Sequence, residues 1–220
     1  MMMRILVVGT APSAIEPAVA ELTSAGHDVV RCHDSGAGPF PCLALSDDRA
    51  CPLEAGPVDV TVTVRDRAWP RPSPYEEGAL CALRRHVPLV VAGTAVLQPF
   101  ERWSSRTSEK GTDLAAACEQ AAAAPLPRHG EVSRDAARQF LAAAGREAAA
   151  DASVWRRHGG LRADVTVPAG CADLSPRVAA RVTGALRQFD RFATAIDVGV
   201  TEVPARPRSS EPLDGAGPRP

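Results

Sequence analysis

The stretch MRILVVGTAPSAIEPAVAELTSAGHDVVRC, residues 3–32, decides the fold of the chain. It contains an unbroken apolar run at residues 5–8 that ends in Gly9, then a segment with one apolar stripe, and then a second apolar pair at residues 29–30. A short apolar run, an amphipathic segment of helical period and another short run are typical of a strand, a helix and a second strand. The stretch therefore predicts the opening of a parallel α/β sheet.

The same rhythm continues along the next part of the chain. Residues 59–66 alternate valine and threonine as a third strand, and residues 88–92 give a fourth. Between them, Ser73-Pro74-Tyr75-Glu76 has the capping-box pattern that begins a helix. Right-handed crossovers predict the strand order 2-1-3-4. We therefore expect an α/β protein in which residues 1–98 form a three-layer, flavodoxin-like domain with a cysteine-rich insert at residues 33–57.

The pattern changes past the fourth strand. Residues 99–158 are predicted as a polar linker (99–111) followed by a helical connector, in which Ser133 caps one helix. Residues 159–203 begin and end with segments in which apolar and polar residues alternate, and between them lies a segment with one apolar stripe. This pattern predicts a small β-α-β unit. Residues 204–220 have too little apolar surface to fold and are predicted to be a disordered tail.

Bulk composition narrows the classes of protein. The 220 residues are 45% hydrophobic and 23% charged, with a net charge of −1, as in a soluble globular protein. No basic run indicates a nucleic-acid partner, and no apolar run approaches the ~18 residues of a membrane span. No signal-peptide pattern precedes the first strand, so we expect a cytoplasmic protein. Its six cysteines are then expected as thiols or metal ligands rather than disulfides.

One candidate site is the turn from Gly9 to Ser13. Gly9 would let a ligand approach the backbone, and the hydroxyls of Thr10 and Ser13, with the free N–H groups of the helix start, could hold an anion. The turn lacks both the glycines of a dinucleotide fingerprint and the lysine of a phosphate-binding loop. The alternative is a tight turn in which Ser13 caps the helix.

A second candidate site combines Cys32, His33, Cys42 and Cys51. Three thiolates and one imidazole could coordinate zinc, and thiolates could hold an iron–sulfur cluster. The cysteines are separated by nine and eight residues, without a CxxC pair. The alternative is that Cys32 and Cys81 are small core residues, one on a strand and one on a helix, and that Cys42 and Cys51 face each other across a hairpin.

Four segments carry a resemblance to a known family. They are RILVV at residues 4–8, AGHDVV at 25–30, DVTVTV at 59–64 and VPLVV at 87–91. In hydrophobic pattern, residues 3–97 resemble the receiver domain of response regulators. This resemblance implies a flavodoxin-like fold and a site for phosphorylation and Mg²⁺ at the ends of the strands.

The chemistry that the resemblance implies is incomplete in this chain. Receivers hold Mg²⁺ with an acidic pair after strand one, where this chain has Gly9 and Thr10. The nearest match to the phosphoacceptor is Asp66, and the nearest hydroxyl after strand four is Thr94. The lysine after strand five has no equivalent, because no predicted strand precedes Lys110.

These observations lead to one functional hypothesis and two alternatives. The first is a non-catalytic regulatory or scaffolding protein whose degenerate receiver-like domain binds a partner or small ligand. The β-α-β unit at residues 159–203 has a general similarity to alkaline-shock-type interaction domains, which implies a protein partner or self-association. The alternatives are a metal-binding or thiol-redox protein that uses the insert, and a nucleotide- or phosphometabolite-binding enzyme that uses the Gly9–Ser13 turn.

Overall fold

The chain folds into two sheets, each flanked by helices. The computed structural model describes residues 2–34, 38, 42, 44–45, 50–68, 70–93, 97–109, 113–157 and 159–203. The elements are β1 (Arg4–Gly9), α1 (Pro12–Ser24), β2 (Asp28–Arg31), β3 (Val60–Arg65), α2 (Glu77–Arg84), β4 (Leu89–Gly93), β5 (Arg106–Glu109), α3 (Leu114–Ala123), α4 (Pro127–Ala143), β6 (Asp151–Arg157), β7 (Gly160–Pro168), α5 (Ser175–Phe189) and β8 (Ile196–Val203).

The first sheet is parallel and has the order β2-β1-β3-β4-β5. Its central strands β1, β3 and β4 are largely buried and rich in valine because helices cover both faces of the sheet. On one face Ile5 and Val7 of β1 pack with Leu22 of α1 and with residues of α3. On the other, Leu6 and Val8 pack with residues of α2. The predicted α/β class and the predicted order of the first four strands are confirmed.

The start of the second helical segment follows the predicted capping box. The Ser73 hydroxyl accepts the N–H of Tyr75 at 3.3 Å, and the Glu76 carboxylate accepts the N–H of Ser73 at 2.8 Å. A short 3-10 helix, Pro74–Glu76, then leads into α2. In α1, by contrast, the N-cap is Ala11 and Ser13 lies inside the first turn, so the reading of Ser13 as an N-cap is wrong.

The fifth strand is the main departure from the sequence prediction. Residues 99–111 were predicted as a loop or linker, but Arg106–Glu109 pairs in parallel with β4. Its sequence, Arg-Thr-Ser-Glu, has no apolar residue, so no hydrophobic pattern predicts a strand there. The strand is held by its backbone ladder, and α3 follows it onto the first core through Leu114 and Cys118. The first sheet therefore extends past residue 98.

The second sheet has the order β6-β7-β8 and packs on α4 and α5. The predicted strand-helix-strand is confirmed as β7-α5-β8, with its two strands paired in parallel. β6, predicted as part of a helix, pairs antiparallel with β7. The predicted cap at Ser133 is wrong, because Pro127 starts α4 and Ser133 is buried within it. Proline is favoured at that first helical position, where its missing N–H costs nothing.

Three sequence predictions fall wholly or partly outside the described residues. They are the hairpin across which Cys42 and Cys51 would face each other, the tail at residues 204–220 and the hydroxyl of Thr94. Among the helices that the structure describes, none has both the length and the hydropathy of a membrane span.

Candidate functional site

A crevice of about 360 Å³ lies at the carboxyl edge of the first sheet, between α1 and α3. Parallel sheets of this kind bind ligands just past the carboxyl ends of their strands. The ends of β3, β4 and β5 form its floor, and α1 contributes one wall. Its polar lining includes Ser13, Glu21, Asp66, Ser108 and Glu109.

The structure brings together Thr10 and Asp66, which follow the neighbouring parallel strands β1 and β3. The Thr10 hydroxyl donates to Oδ1 of Asp66 at 2.9 Å. Asp66 is exposed, and no other hydrogen bond to it is seen among the described residues. Oδ2 of Asp66 is thus available to a ligand in the crevice.

Gly9 has a packing role. A Cβ at this position would lie 2.8 Å from the carbonyl oxygen of Val64 and 2.9 Å from the Ile15 side chain. Glycine is therefore needed for the close approach of β1, β3 and α1. Ser13 lines the crevice and is exposed, whereas Thr94 lies outside the described residues.

The described lining of the crevice is acidic. Glu21, Asp66 and Glu109 contribute three carboxylates. Oε1 of Glu21 also accepts the N–H of Leu114 at 2.8 Å and so caps the start of α3. The one cation of the described lining, Arg65, is engaged with a carboxylate below the crevice. This distribution of charge favours amines over phosphates.

A buried ion pair supports the crevice from below. Nη2 of Arg65 donates to Oε2 of Glu76 at 2.6 Å, and Nε donates to Oε1 at 2.8 Å. The same carboxylate accepts the Thr63 hydroxyl at 2.7 Å, and both charged side chains are fully buried. Nη2 also donates to the carbonyl of Arg71 at 3.0 Å, which ties down the loop after β3. Asp66 and Ser73 belong to this loop, so the ion pair positions one side of the crevice.

The carboxyl edge lacks parts of the receiver chemistry. Gly9 and Thr10 stand where the resemblance implies the acidic pair, and Asp66 follows the last residue of β3. The statement that no strand precedes Lys110 is wrong, because β5 ends at Glu109. Lys110 itself lies outside the described residues.

The predicted metal-binding set does not form a coordination site. Among the described residues, no group of three or more His, Cys, Asp and Glu side chains could hold a metal ion. Cys32 is a buried free thiol with a pKa raised to about 12. Burial is the largest cause, and smaller contributions come from the neighbouring thiols of Cys51, Cys81 and Cys42. Such a thiol is almost entirely protonated at neutral pH, and it is the thiolate that attacks disulfides.

Cys32 has a packing explanation, whereas the prediction of Cys81 as a core residue is wrong, because Cys81 is exposed. Cys32 lies against Gly78 of α2, where a Cβ would come 2.7 Å from its Sγ. His33 is partly buried, and its ring lies edge-on to Tyr75 at 5.9 Å. Burial lowers the pKa of His33. The small-core-residue alternative thus describes Cys32, and the described arrangement lends no support to zinc or an iron–sulfur cluster.

A buried charged cluster at the junction of the two sheets was missed by the sequence analysis. His129 lies in a polar stretch of the sequence, which favours a solvated side chain, but it is only 2% exposed and its Nε2 lies 3.1 Å from Oδ2 of Asp190. Nη2 of Arg156 donates to the same oxygen at 2.7 Å. Burial by itself raises the pKa of Asp190, but the hydrogen bond with His129 and the charge of Arg156 outweigh it and hold the pKa at about 2.

The cluster also joins the two halves of the chain. Arg156 of β6 donates to the carbonyl oxygens of Arg85 and His86, at the end of α2, at 3.1 and 3.3 Å. The guanidinium of Arg85 in turn lies 4.5 Å from the ring centre of Phe192. Since the partners are far apart in the chain, no local sequence pattern indicates this contact.

Comparisons with known proteins assign no family. No family model matches the chain, and no curated protein matches it. Among solved structures, a crystal structure of an Aquifex aeolicus Era variant bound to GDP.AlF4- matches with a TM-score of 0.32 and 12% sequence identity. The match covers 93% of this chain and 94% of that one. A likeness at this TM-score carries no argument about function.

Proposed function

We propose that this is a non-catalytic regulatory protein whose parallel-sheet domain binds a small, amine-bearing ligand in the crevice at its carboxyl edge. The observation that carries the proposal is the acidic lining of this crevice, with Oδ2 of Asp66 available. An ammonium group would form a charge-assisted hydrogen bond there, and such bonds are about twice as strong as neutral ones. The hydroxyls of Ser13 and Ser108 add further polar contacts to the lining.

The non-catalytic part of the proposal follows from the groups around Asp66. Phosphoryl transfer needs cations to neutralise the charge that develops on the phosphoryl oxygens. Gly9 and Thr10 offer no carboxylate that could hold Mg²⁺ beside Asp66, and Thr10 instead donates a hydrogen bond to it. Incubation with acetyl phosphate and Mg²⁺ should therefore leave the mass of the intact protein unchanged.

The binding experiment compares three four-carbon probes that differ in charge: butane-1,4-diamine, butane-1,4-diol and succinate. Thermal unfolding of the full chain is followed at increasing concentrations of each probe. The diamine should raise the melting temperature in a saturable way, because a ligand that binds only the native state stabilises it. The diol and succinate should have little effect.

Two variants locate the effect. Asp66→Asn removes the available carboxylate without changing its size, and it should abolish most of the stabilisation by the diamine. Glu131→Gln is the matched control, because Glu131 is an exposed carboxylate on α4, away from the crevice. Equal responses in both variants, or no response of the wild type to the diamine, would refute the proposed site.

The second sheet is the proposed surface for a partner or for self-association. β8 is an edge strand of this sheet, and its side chains alternate between partly buried and exposed along much of its length. An edge strand presents unpaired backbone groups to another chain. Sedimentation velocity of the wild type and of a Val200→Pro variant should show loss of any dimer in the variant, and a concentration-independent monomer in both would remove self-association.

A further inference from the structure

A groove of about 600 Å³ lies where the two halves of the chain meet. Its first wall comes from α2, β4 and the segment before β5, and its second wall from the start of α4 and the end of α5. The walls are largely apolar and include Leu80, Leu83, Trp103, Leu126 and Phe189. Small-molecule sites are typically clefts of ~300–1,000 Å³ with such walls, and they favour domain interfaces.

Large apolar side chains remain exposed in this groove. Leu80 is 41% exposed and Trp103 is 45% exposed. A bound apolar molecule would remove this surface from water, at about 25 cal/mol per Å². The groove is thus a place where an apolar ligand gains binding energy.

The floor of the groove is a rigid aromatic platform. The ring of His86 stacks on Phe189, with centroids 4.7 Å apart and an interplanar angle of 25°. His129 meets both rings edge-on, at 5.0 and 4.9 Å. Asp190 holds His129 from behind, and Arg156 holds Asp190. These contacts fix the platform before any ligand arrives.

His86 is kept in an unfavourable backbone conformation. Its φ of 55° is left-handed, at the position after α2 where glycine is normally found. A side chain in that conformation brings its Cβ close to the following carbonyl oxygen, which is unfavourable. Strain of this kind persists where the surroundings enforce it, and it is concentrated at ligand and active sites. The imidazole of this strained residue lines the groove together with the ring of Phe189.

The charged side chains that line the groove are cationic. Among the described residues that line the groove, the charged side chains are Arg84 and Arg128, and no carboxylate accompanies them. Both arginines are exposed, and neither forms a salt bridge to a described residue. A ligand with an anionic group therefore complements the groove.

We propose that this groove binds an apolar molecule that carries one carboxylate, such as a medium-chain acyl carboxylate. The apolar chain lies on the His86–Phe189 platform, between Leu80 and Trp103, and the carboxylate is held by Arg84 or Arg128. The site is separate from the carboxyl-edge crevice, so the inference does not depend on the proposed function.

The test uses sodium decanoate, with decan-1-ol and decylammonium as probes of the same chain length, all below their micelle-forming concentrations. Trp103 lies in the groove, so its fluorescence reports occupancy, and calorimetry on the full chain reports binding independently. Decanoate should produce a saturable change in fluorescence, with weaker binding of decan-1-ol and decylammonium. A Trp103→Phe variant should lose most of the optical signal while retaining heat of binding.

Three variants separate the groove from adventitious binding. A variant with both Arg84→Gln and Arg128→Gln should weaken decanoate about tenfold, the factor that corresponds to one charge-assisted hydrogen bond of ~1.4 kcal/mol. Leu80→Asp, at an exposed position, should abolish binding by adding a carboxylate to the wall. Arg181→Gln, an exposed arginine elsewhere on α5, should have no effect. Unchanged affinity in the first two variants, equal affinity for decan-1-ol, or no saturable binding of decanoate would overturn the inference.

Discussion

Replacing Glu76 by glutamine should reveal how much the carboxyl edge depends on the ion pair beneath it. Both partners are fully buried, and the guanidinium of Arg65 makes two hydrogen bonds with this carboxylate, at 2.6 and 2.8 Å. The variant keeps the shape of the side chain but leaves Arg65 as a buried cation without its counter-charge. Breaking a buried pair in this way costs ~3–5 kcal/mol, so we expect Glu76→Gln to lose about that much of its free energy of unfolding.

A second substitution shows whether the lost stability comes from the buried charge or from the lost contacts. The test is whether stability rises or falls when it is added. In Glu76→Gln the single amide oxygen can replace Oε1, which accepts the Thr63 hydroxyl, or Oε2, which accepts the Ser73 N–H, and the hydrogen bond lost is the same with or without Arg65. Adding Arg65→Met removes the stranded cation and leaves an apolar side chain of similar length. The double variant should therefore be more stable than Glu76→Gln alone, although it carries one more change.

Urea denaturation, followed by far-ultraviolet circular dichroism, gives the free energies. The control is Asp151→Asn, which breaks the surface pair with Arg134 at 2.9 Å and should cost less than ~1 kcal/mol. A double variant that is as unstable as Glu76→Gln, or less stable, would refute the reasoning from the buried charge. A loss in Glu76→Gln no larger than in the control would refute it as well.

Three further predictions follow from individual positions. Gly93→Ala should destabilise the protein much more than Gly145→Ala in thermal melting. Both positions have positive φ, but a Cβ at Gly93 would lie 2.1 Å from a backbone oxygen of β3, whereas Gly145 faces open space. Equal losses of stability in the two variants would contradict this. The folded-state pKa of Asp190, about 2, lies below the ~3.9 of an unfolded chain, so its stabilising contribution of ~2 kcal/mol should be present at neutral pH and be lost as pH falls from about 4 to about 2. Urea denaturation of the wild type and Asp190→Asn over that range should show the two converging, and a constant gap would disagree. In the folded protein, Cys32 should react with iodoacetamide far more slowly than the exposed Cys81, because Cys32 is buried and its pKa is raised to about 12; peptide mapping that finds Cys32 labelled first would contradict this.

The sequence predicts those strands that are buried on both faces, because such burial requires a continuous run of apolar residues. β1, β3 and β4 are covered on both faces, so each is an apolar or valine-rich run. β5 has no apolar residue and depends on its backbone ladder with β4. In β6 the inward-facing positions include Arg156, whose charge interrupts the alternation. That arginine can be buried only because Asp190 meets it, and a single strand does not reveal the partner.

The same distinction applies to the sites. Thr10 and Asp66 follow the neighbouring parallel strands β1 and β3, and the structure places them in a hydrogen bond. His129 and Asp190 are 61 residues apart and meet only when α4 and the end of α5 pack together. For His86 the sequence shows only a position at which a helix ends. Its place in the groove depends on the contact between the two halves of the chain.

The most direct test of the proposed function is a titration of the isotopically labelled full chain with butane-1,4-diamine, followed by backbone amide NMR. We predict saturable shifts concentrated at the crevice, around Ser13, Asp66, Gly93 and Ser108, and their loss in Asp66→Asn. Shifts spread over exposed carboxylates throughout the protein, or the absence of saturation, would contradict the proposed ligand site.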